Sequence, residues 1–311
     1  MLVYTNLIDW TNANFYFKYK VTMTNIVNIF DIIDNYDILL FDIWGVLMEQ
    51  NPYVEVIHAM QRIKKMKDVY IVTNMGRTRN TVRKKLLDQG LDIELHKIFT
   101  AGEAAISMLK HKRANQENLT IYHFDDSSSE VPVYKELLHG TDINITKNMD
   151  EANLLIISQF ADNMDESLRF DDELAMAASK KIEAICSNPD TIVVNEGKTR
   201  YCAGFFAEKY ENMGGVVHYA GKPYMNIYDE VFSTIKDIKK IDKNRILMIG
   251  DTLETDILGA KNANIHSALV ATGNMKKILL DKDLENHEKY NLLIKNAETL
   301  DLLPNWIIEI K

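Results

Sequence analysis

Short apolar runs alternate along the chain with segments whose apolar residues recur at helical spacing. A helix is predicted from Pro52 onward, and another from about Thr78 to Gln89, where Gly90 ends it. The run at 69–73 lies between them and is typical of a buried strand. This βαβ order predicts an α/β fold whose parallel sheets are covered by helices on both faces.

The same alternation continues beyond these elements. Further strands are predicted at 97–100, 119–124, 153–158, 182–187, 216–219, 245–250 and 266–271, and further helices at 101–112, 130–138, 165–181, 224–238 and 255–263. The start of the chain is aromatic and rich in Asn, without a basic segment followed by an apolar one. We therefore expect an N-terminal extension over 1–24 and no signal peptide.

Polar residues stand at the ends of three of the predicted strands. Asp42 and Asp251 each follow an apolar run, and a third run ends on Thr73 and Asn74. Ligands bind at the carboxyl edge of open α/β sheets. Two carboxylates and a hydroxyl at that edge, with a lysine further along the chain, favour a phosphate and metal site, although each residue alone is also typical of a turn.

Composition narrows the function classes. The chain has 311 residues, 46% of them hydrophobic, with a formal net charge of -9. An acidic protein of this kind is not expected to bind nucleic acid or an anionic membrane surface. Its two cysteines, Cys186 and Cys202, lie outside any CxxC or His cluster, so a reducing cytoplasm is the expected compartment. No segment approaches 18 uncharged apolar residues, so no membrane span is predicted.

Two nucleotide-binding motifs fail on inspection. Gly197-Lys198-Thr199 is similar to the end of a phosphate loop, but Ile192 occupies the position that requires glycine. Gly221-Lys222 is followed by Pro223, and no GxGxxG opens a helix. Neither nucleotide fold is supported.

Four motifs together resemble the haloacid dehalogenase (HAD) superfamily, in its class IIA branch of NagD-like phosphatases. They are Asp42 to Leu47, Thr73-Asn74, Ala220 to Pro223, and Gly250 to Asp256. Each motif alone is weak, but the set is specific in this order and spacing, and the resemblance extends over roughly residues 25–311.

The resemblance implies a Rossmann-like core with a parallel sheet and an α/β cap inserted between the second and third motifs. The core domain would comprise 25–103 and 202–311, and the cap 104–201. It also implies an enzyme that hydrolyses a small phosphorylated metabolite through an aspartyl-phosphate intermediate. A homodimer formed through the cap is common in similar proteins and is a further expectation.

The resemblance also assigns roles to individual residues. Asp42 would be the nucleophile, and Lys222 would balance charge on the phosphoryl oxygens while Thr73 and Asn74 supply hydrogen bonds. Mg²⁺, which prefers oxygen ligands, would be the cofactor. Its expected site consists of the Asp42 carboxylate, the Trp44 backbone carbonyl and Asp251, with Asp256 behind them steadying a metal-bound water or Lys222.

One position departs from the family pattern. Most phosphatases of this superfamily carry a second aspartate two residues after the nucleophile, and Trp44 stands there instead. An indole N–H cannot supply a proton to the leaving group, and that step is typically worth about 10²- to 10⁴-fold in rate. Three explanations stay open: Glu49 substitutes as the acid, the substrate has a good leaving group, or the protein binds phosphorylated ligands with little turnover.

The cap would select the substrate. By resemblance, Asn188 and Asp190 lie on a loop that faces the catalytic cleft and could contact the leaving group, whereas the residues alone indicate only a turn. The leading hypothesis is therefore a Mg²⁺-dependent phosphatase. The alternative is a regulatory or phospho-ligand-binding protein on the same fold.

Overall fold

A computed structural model describes residues 26–115, 118–125, 133–139, 141, 143–195, 198–273 and 285–311. The extension predicted over 1–24 lies outside the described residues. Within these ranges, no helix combines the length and apolar character that crossing a bilayer requires.

Strands and helices alternate as the sequence predicts. The strands are β1 (Val27–Asn28), β2 (Ile38–Phe41), β3 (Asp68–Thr73), β4 (Ile98–Thr100), β5 (Thr120–Phe124), β6 (Asn144–Thr146), β7 (Leu154–Ile157), β8 (Glu183–Cys186), β9 (Ile192–Asn195), β10 (Lys198–Tyr201), β11 (Val217–Tyr219), β12 (Ile246–Gly250), β13 (His266–Val270) and β14 (Trp306–Glu309). The helices are α1 (Ile29–Ile32), α2 (Val54–Ile63), α3 (Arg79–Asp88), α4 (Ala101–Asn115), α5 (Val133–Leu137), α6 (Met164–Leu168), α7 (Asp171–Ser179), α8 (Ala203–Asn212), α9 (Met225–Thr234), α10 (Leu258–Ala263) and α11 (Asn286–Thr299).

The larger sheet has seven strands in the order β1-β14-β13-β12-β2-β3-β4. Every neighbouring pair in it is parallel. Strands β2, β3 and β12 are buried along almost their whole length, because helices cover both faces of the sheet. The α/β class with a parallel core sheet is confirmed.

The second sheet has five parallel strands in the order β11-β8-β7-β5-β6. Helix α4 packs on one face through Ala104, Ala105 and Leu109, and α7 and α8 cover the other. A separate antiparallel hairpin, β9–β10, lies between β8 and α8 in the chain. We call the five-stranded sheet, its helices and this hairpin the cap.

The predicted return to the core domain at residue 202 is wrong. Helix α8 buries Phe206 and Tyr210 in the apolar cluster of the cap, and β11 pairs with β8. The cap sheet therefore continues to Tyr219, and the chain re-enters the core at the motif Ala220 to Pro223. The sequence shows that 203–212 can form an amphipathic helix, but not which of two sheets covers its apolar face.

The helix predicted over 165–181 is two helices. The chain turns at Arg169 and Phe170 between α6 and α7. The Phe170 ring meets Phe124 and Phe206 edge-on, with centroids 5.5 Å and 5.6 Å away. Packing of this aromatic side chain against the cap sheet favours the turn over a continuous helix.

Candidate active site

Asp42 and Asp251, two of the residues predicted for the site, lie together at the carboxyl ends of β2 and β12. The strands are neighbours in the core sheet, and Asp42 and Asp251 directly follow them. Asp42, Asp251 and Asp256 each offer a carboxylate oxygen, and these oxygens lie within 4.8 Å of one another. All three side chains are largely buried, so their charges require compensation by cations or hydrogen-bond donors.

Lys222 supplies part of that compensation. Its ammonium is 2.9 Å from Asp42 Oδ1 and 2.6 Å from Asp256 Oδ1, and its side chain is 1% exposed. Burial alone would lower the pKa of Lys222, but the carboxylates of Asp256 and Asp42 together raise it above its ordinary value. Lys222 therefore stays charged at neutral pH, beside the atom predicted to attack phosphorus.

Both carboxylate oxygens of Asp256 are engaged within the protein. Oδ1 accepts the hydrogen bond from Lys222, and Oδ2 accepts from the backbone N–H groups of Asp251 and Thr252, each at 3.1 Å. A tight turn over Leu253–Ile257 places the side chain there. This geometry favours Asp256 as a positioning residue for Lys222 and for the Asp251 loop over a direct metal ligand.

Two glycines pack against the Asp251 carboxylate. A Cβ atom at Gly45 would lie 2.2 Å from Asp251 Oδ2, and one at Gly273 would lie 2.0 Å from it. Both residues have positive φ, +80° and +53°. Thr272 ties the two loops together by donating a hydrogen bond at 2.5 Å to the Gly45 carbonyl. Sequence reasoning missed Thr272 and Gly273, although they follow β13 at the same edge of the sheet.

Asn74 connects three segments of the site. Its side-chain oxygen accepts a hydrogen bond from the Lys222 backbone N–H at 2.7 Å, and its amide donates to the Lys222 carbonyl at 3.0 Å and to Asp190 Oδ1 at 2.8 Å. Thr73 is 1% exposed, and its hydroxyl accepts from the Met75 N–H at 3.3 Å. The amide of Asn74 thus links the core sheet, the lysine loop and the cap.

The cap loop from Asn188 to Asp190 lies against the core, where Asp190 accepts the hydrogen bond from Asn74. Asn188 Oδ1 accepts a hydrogen bond from the Asp190 N–H at 3.0 Å. Gly204 admits the loop closely, since a Cβ there would lie 2.2 Å from the Pro189 carbonyl oxygen. Burial raises the pKa of Asp190 to about 6, against the lowering effect of the Asn74 hydrogen bond. Asp190 is therefore a carboxyl group that titrates near neutral pH.

Two cavities meet at Asp42. The acidic cavity, about 610 Å³, is lined by several carboxylates, including Glu208, Glu211 and Glu254, and by Tyr219 and Tyr224, whose rings stack 4.9 Å apart. The arginine cavity, about 350 Å³, has a different lining. It includes Arg77, Asp125, Phe160, Cys202 and Arg200. Either cavity is large enough for the organic part of a small metabolite.

Trp44 lines both cavities. Its indole Nε1 is buried and has no hydrogen-bond partner among the described residues. Lys85 lies over the indole ring, with Nζ 5.4 Å from the centroid. No carboxyl group replaces the missing aspartate at this position of the chain.

Glu49 does not line either of these two cavities. Its carboxylate accepts a hydrogen bond from the Tyr53 hydroxyl at 2.7 Å. The structure therefore does not bring Glu49 into the group formed by Asp42, Lys222 and Asp190.

The donor set fits a hard divalent cation. Three carboxylates converge, and Asp42 Oδ1 is buried without a hydrogen bond among the described residues, its contact with Lys222 being an ion pair. Oxygen atoms of this kind are the ligands that Mg²⁺ prefers. Asp42 and Asp251 would hold the cation.

Two family profiles and several known proteins match this chain. The HAD-hydrolase-like profile matches residues 219–297, and the haloacid dehalogenase-like hydrolase profile matches 39–132. An acid sugar phosphatase from Staphylococcus haemolyticus is 25% identical over 66% of this chain and 72% of its own length. A 4-nitrophenylphosphatase from Schizosaccharomyces pombe is 24% identical over 86% of this chain and 96% of its own.

A solved structure shares the fold. The structure, described as a possible sugar phosphatase of the HAD superfamily from Cytophaga hutchinsonii, superposes with a TM-score of 0.72 and 21% identity, covering 92% of this chain and 98% of that one. The two family profiles together match more than half of the chain, and their order agrees with the four motifs and with the core and cap. The chain belongs to the haloacid dehalogenase superfamily of hydrolases, in the NagD-like class IIA branch that its motifs predicted.

Proposed function

We propose that the protein is a Mg²⁺-dependent phosphatase that hydrolyses monoesters of small phosphorylated metabolites through an aspartyl-phosphate on Asp42. The observation that carries this proposal is the position of the Asp42 carboxylate. It lines both cavities, and its buried Oδ1 forms an ion pair with the charged Lys222 ammonium at 2.9 Å. A nucleophilic carboxylate in phosphoryl transfer needs this combination of access and nearby positive charge.

The proposed reaction has two halves, and the chain's own residues act directly in the first. An Asp42 oxygen attacks phosphorus, and the bond between phosphorus and the leaving oxygen breaks as the aspartyl-phosphate forms. Lys222 offsets charge on the phosphoryl oxygens, and the Thr73 hydroxyl can donate a hydrogen bond to them. Water then attacks the aspartyl-phosphate, and phosphate leaves with Asp42 regenerated. A divalent cation held by Asp42 and Asp251 would supply further charge neutralisation.

Names of relatives support a phosphate ester as substrate. The related proteins from Staphylococcus haemolyticus and Schizosaccharomyces pombe carry the names acid sugar phosphatase and 4-nitrophenylphosphatase. The cavities beside Asp42 have room for a sugar or an aryl group. We infer a small phosphorylated metabolite as the partner, rather than nucleic acid or a membrane, in a cytoplasmic protein that could form a homodimer.

Trp44 favours a second candidate function. Trp44 stands where the usual proton donor would be, so departure of a poor leaving group would be slow. The same site would then suit a protein that binds phosphorylated ligands and turns them over slowly. Turnover of a substrate with a good leaving group separates the two, since such a group departs without help from an acid.

The test is phosphate release from 4-nitrophenyl phosphate and a panel of sugar phosphates, with Mg²⁺ and after chelation, for wild type and Asp42→Asn. We expect turnover that requires the cation and that falls by about 10⁴-fold or more in Asp42→Asn. A melting temperature for each protein shows that the variant is folded. Turnover retained in Asp42→Asn contradicts the nucleophile, and binding of Mg²⁺ without any turnover favours the ligand-binding protein.

A further inference from the structure

Hydrolysis of an alkyl phosphate needs a proton donor that position 44 does not provide. An alkoxide is a poor leaving group, so the donor must face the same space as Asp42. Glu49, the nearest acid along the chain, does not line either cavity at Asp42.

Asp190 does face that space. Asp42, Trp44, Asp190 and Val193 are the residues common to the linings of the two cavities. Besides Asp42, Asp190 is the acidic side chain that both linings share. Whichever of the two cavities holds the organic part of a substrate, Asp42 and Asp190 both line that cavity.

The Asp190 carboxyl is held in place while one oxygen stays available. Oδ1 accepts the hydrogen bond from Asn74, and Oδ2 makes no hydrogen bond to the described residues. Asn188 fixes the Asp190 backbone, and Gly204 packs against the preceding Pro189 carbonyl. Because Asn74 also bonds to the backbone of Lys222, the position of Asp190 is tied to the phosphate end of the site.

From this geometry we infer that Asp190 is the proton donor to the leaving oxygen, in place of the carboxyl that Trp44 replaces. The inference rests on the proposed phosphatase function. As Asp42 attacks, the bond from phosphorus to the ester oxygen breaks, its electron pair goes to that oxygen, and the oxygen takes the proton of the Asp190 carboxyl. The alcohol leaves, and the Asp190 carboxylate then accepts a proton from the water that attacks the aspartyl-phosphate.

The electrostatic surroundings of Asp190 suit this role. Burial raises its pKa to about 6, the Asn74 hydrogen bond lowers it, Asp42 raises it and Lys222 lowers it. The thiols of Cys186 and Cys202 and the carboxyl of Asp256 also interact with Asp190 electrostatically. A donor whose pKa is close to the working pH can both release and regain the proton.

The test compares an alkyl phosphate with 4-nitrophenyl phosphate in wild type, Asp190→Asn and Glu208→Gln. Asn keeps an oxygen to accept the bond from Asn74 but has no acidic proton. Glu208 is a matched control because it is another carboxyl of the acidic cavity whose pKa burial raises. We expect Asp190→Asn to lower kcat on the alkyl phosphate by about 10²- to 10³-fold and on the aryl phosphate by less than about tenfold. Glu208→Gln should leave the ratio of the two rates unchanged.

An equal loss on both substrates, or no loss on either, overturns the role of Asp190. The proposed function is judged separately, because it requires only that wild type hydrolyses the aryl phosphate and that Asp42→Asn does not. If the proposed function is wrong, wild type itself does not hydrolyse the aryl phosphate. The role of Asp190 as proton donor is then overturned as well.

A pH profile of wild type tests the same inference if Asp190→Asn does not fold. The ratio of kcat/KM on the alkyl phosphate to kcat/KM on the aryl phosphate cancels the ionisations that both substrates need. With Asp190 as the donor, this ratio falls about tenfold per pH unit above the pKa of the donor. A ratio that stays flat between pH 5 and pH 9 (roughly three units beyond the donor pKa) contradicts the inference.

Discussion

The edge of the core sheet and the cap wall face each other across Asp42, and they differ in how their charged groups are held. On the core side, Lys222 and Asp256 are almost completely buried and bonded to each other. On the cap side, Arg200 is about half exposed (51%) and lies beside Phe160 and Asp162, at the surface of a short hairpin. Fixed, desolvated charges suit the phosphoryl group, which every substrate shares, whereas a more open wall suits the part that varies between substrates.

The largest effect is expected on the core side. Lys222→Met removes the cation beside Asp42 and leaves Asp256 buried without its partner. We expect kcat to fall by about 10²- to 10³-fold and the free energy of unfolding by about 3–5 kcal/mol. Phosphate release and urea unfolding measure the two effects.

A double variant separates charge from stability in this pair. Asp256→Asn combined with Lys222→Met removes both buried charges, so stability should partly return while activity does not. If the double variant regained activity, Lys222 would have no role beyond pairing with Asp256.

A smaller effect is expected from Gly273→Ala. The new methyl group would meet Asp251 Oδ2 at 2.0 Å, so the carboxylate must move. A displacement of about 1 Å in a catalytic group can cost about 10²-fold in rate, and we expect a loss of this order together with weaker Mg²⁺ binding. Calorimetric titration with Mg²⁺ measures the second effect.

Gly214→Ala is the matched control for that variant. Gly214 also has a positive φ, +89°, but a Cβ there has no atom within 4 Å. Its substitution should cost about 1–2 kcal/mol of stability through backbone strain and leave Mg²⁺ affinity unchanged. Equal activity losses in the two variants would mean that backbone strain, rather than contact with Asp251, causes the effect of Gly273→Ala.

The smallest effect is expected on the cap side. Arg200→Met removes a charge that borders the arginine cavity, where its guanidinium is 2.7 Å from Asp162 and 5.2 Å from the Phe160 ring centroid. Exposed charge interactions are worth up to about 1 kcal/mol, so KM for substrates with an anionic organic part should rise by up to about fivefold, with kcat unchanged. If kcat for 4-nitrophenyl phosphate fell instead by up to about fivefold, Arg200 would act on the phosphoryl group, as Lys222 does.

The same contrast explains what the sequence could predict. Asp42, Asp251 and Thr73 were predictable because each ends a buried strand, and the carboxyl ends of neighbouring parallel strands meet at one edge of a sheet. Lys222 and Asp256 were predictable only from the order and spacing of the family motifs. Nothing in a local pattern shows that a lysine is buried between two carboxylates.

The parts that were missed depend on packing between distant segments. Helix α8 and strand β11 joined the cap because Phe206 and Tyr210 fill its apolar cluster, which no local periodicity reveals. Gly273 touches Asp251 only because two loops, more than 200 residues apart at Gly45 and Thr272, are bonded to each other. The environment of Asp190 likewise arises from enclosure by core and cap together.

The most direct test of the account is to trap the phosphoryl group on the protein. Wild type mixed with a large excess of 4-nitrophenyl phosphate and Mg²⁺ is quenched in acid within the first turnover, and its intact mass and proteolytic peptides are measured. We predict one added phosphoryl group, located on the peptide that contains Asp42 and absent from Asp42→Asn. Phosphorylation of another residue, or hydrolysis by wild type with unmodified protein at every quench time, would contradict Asp42 as the nucleophile.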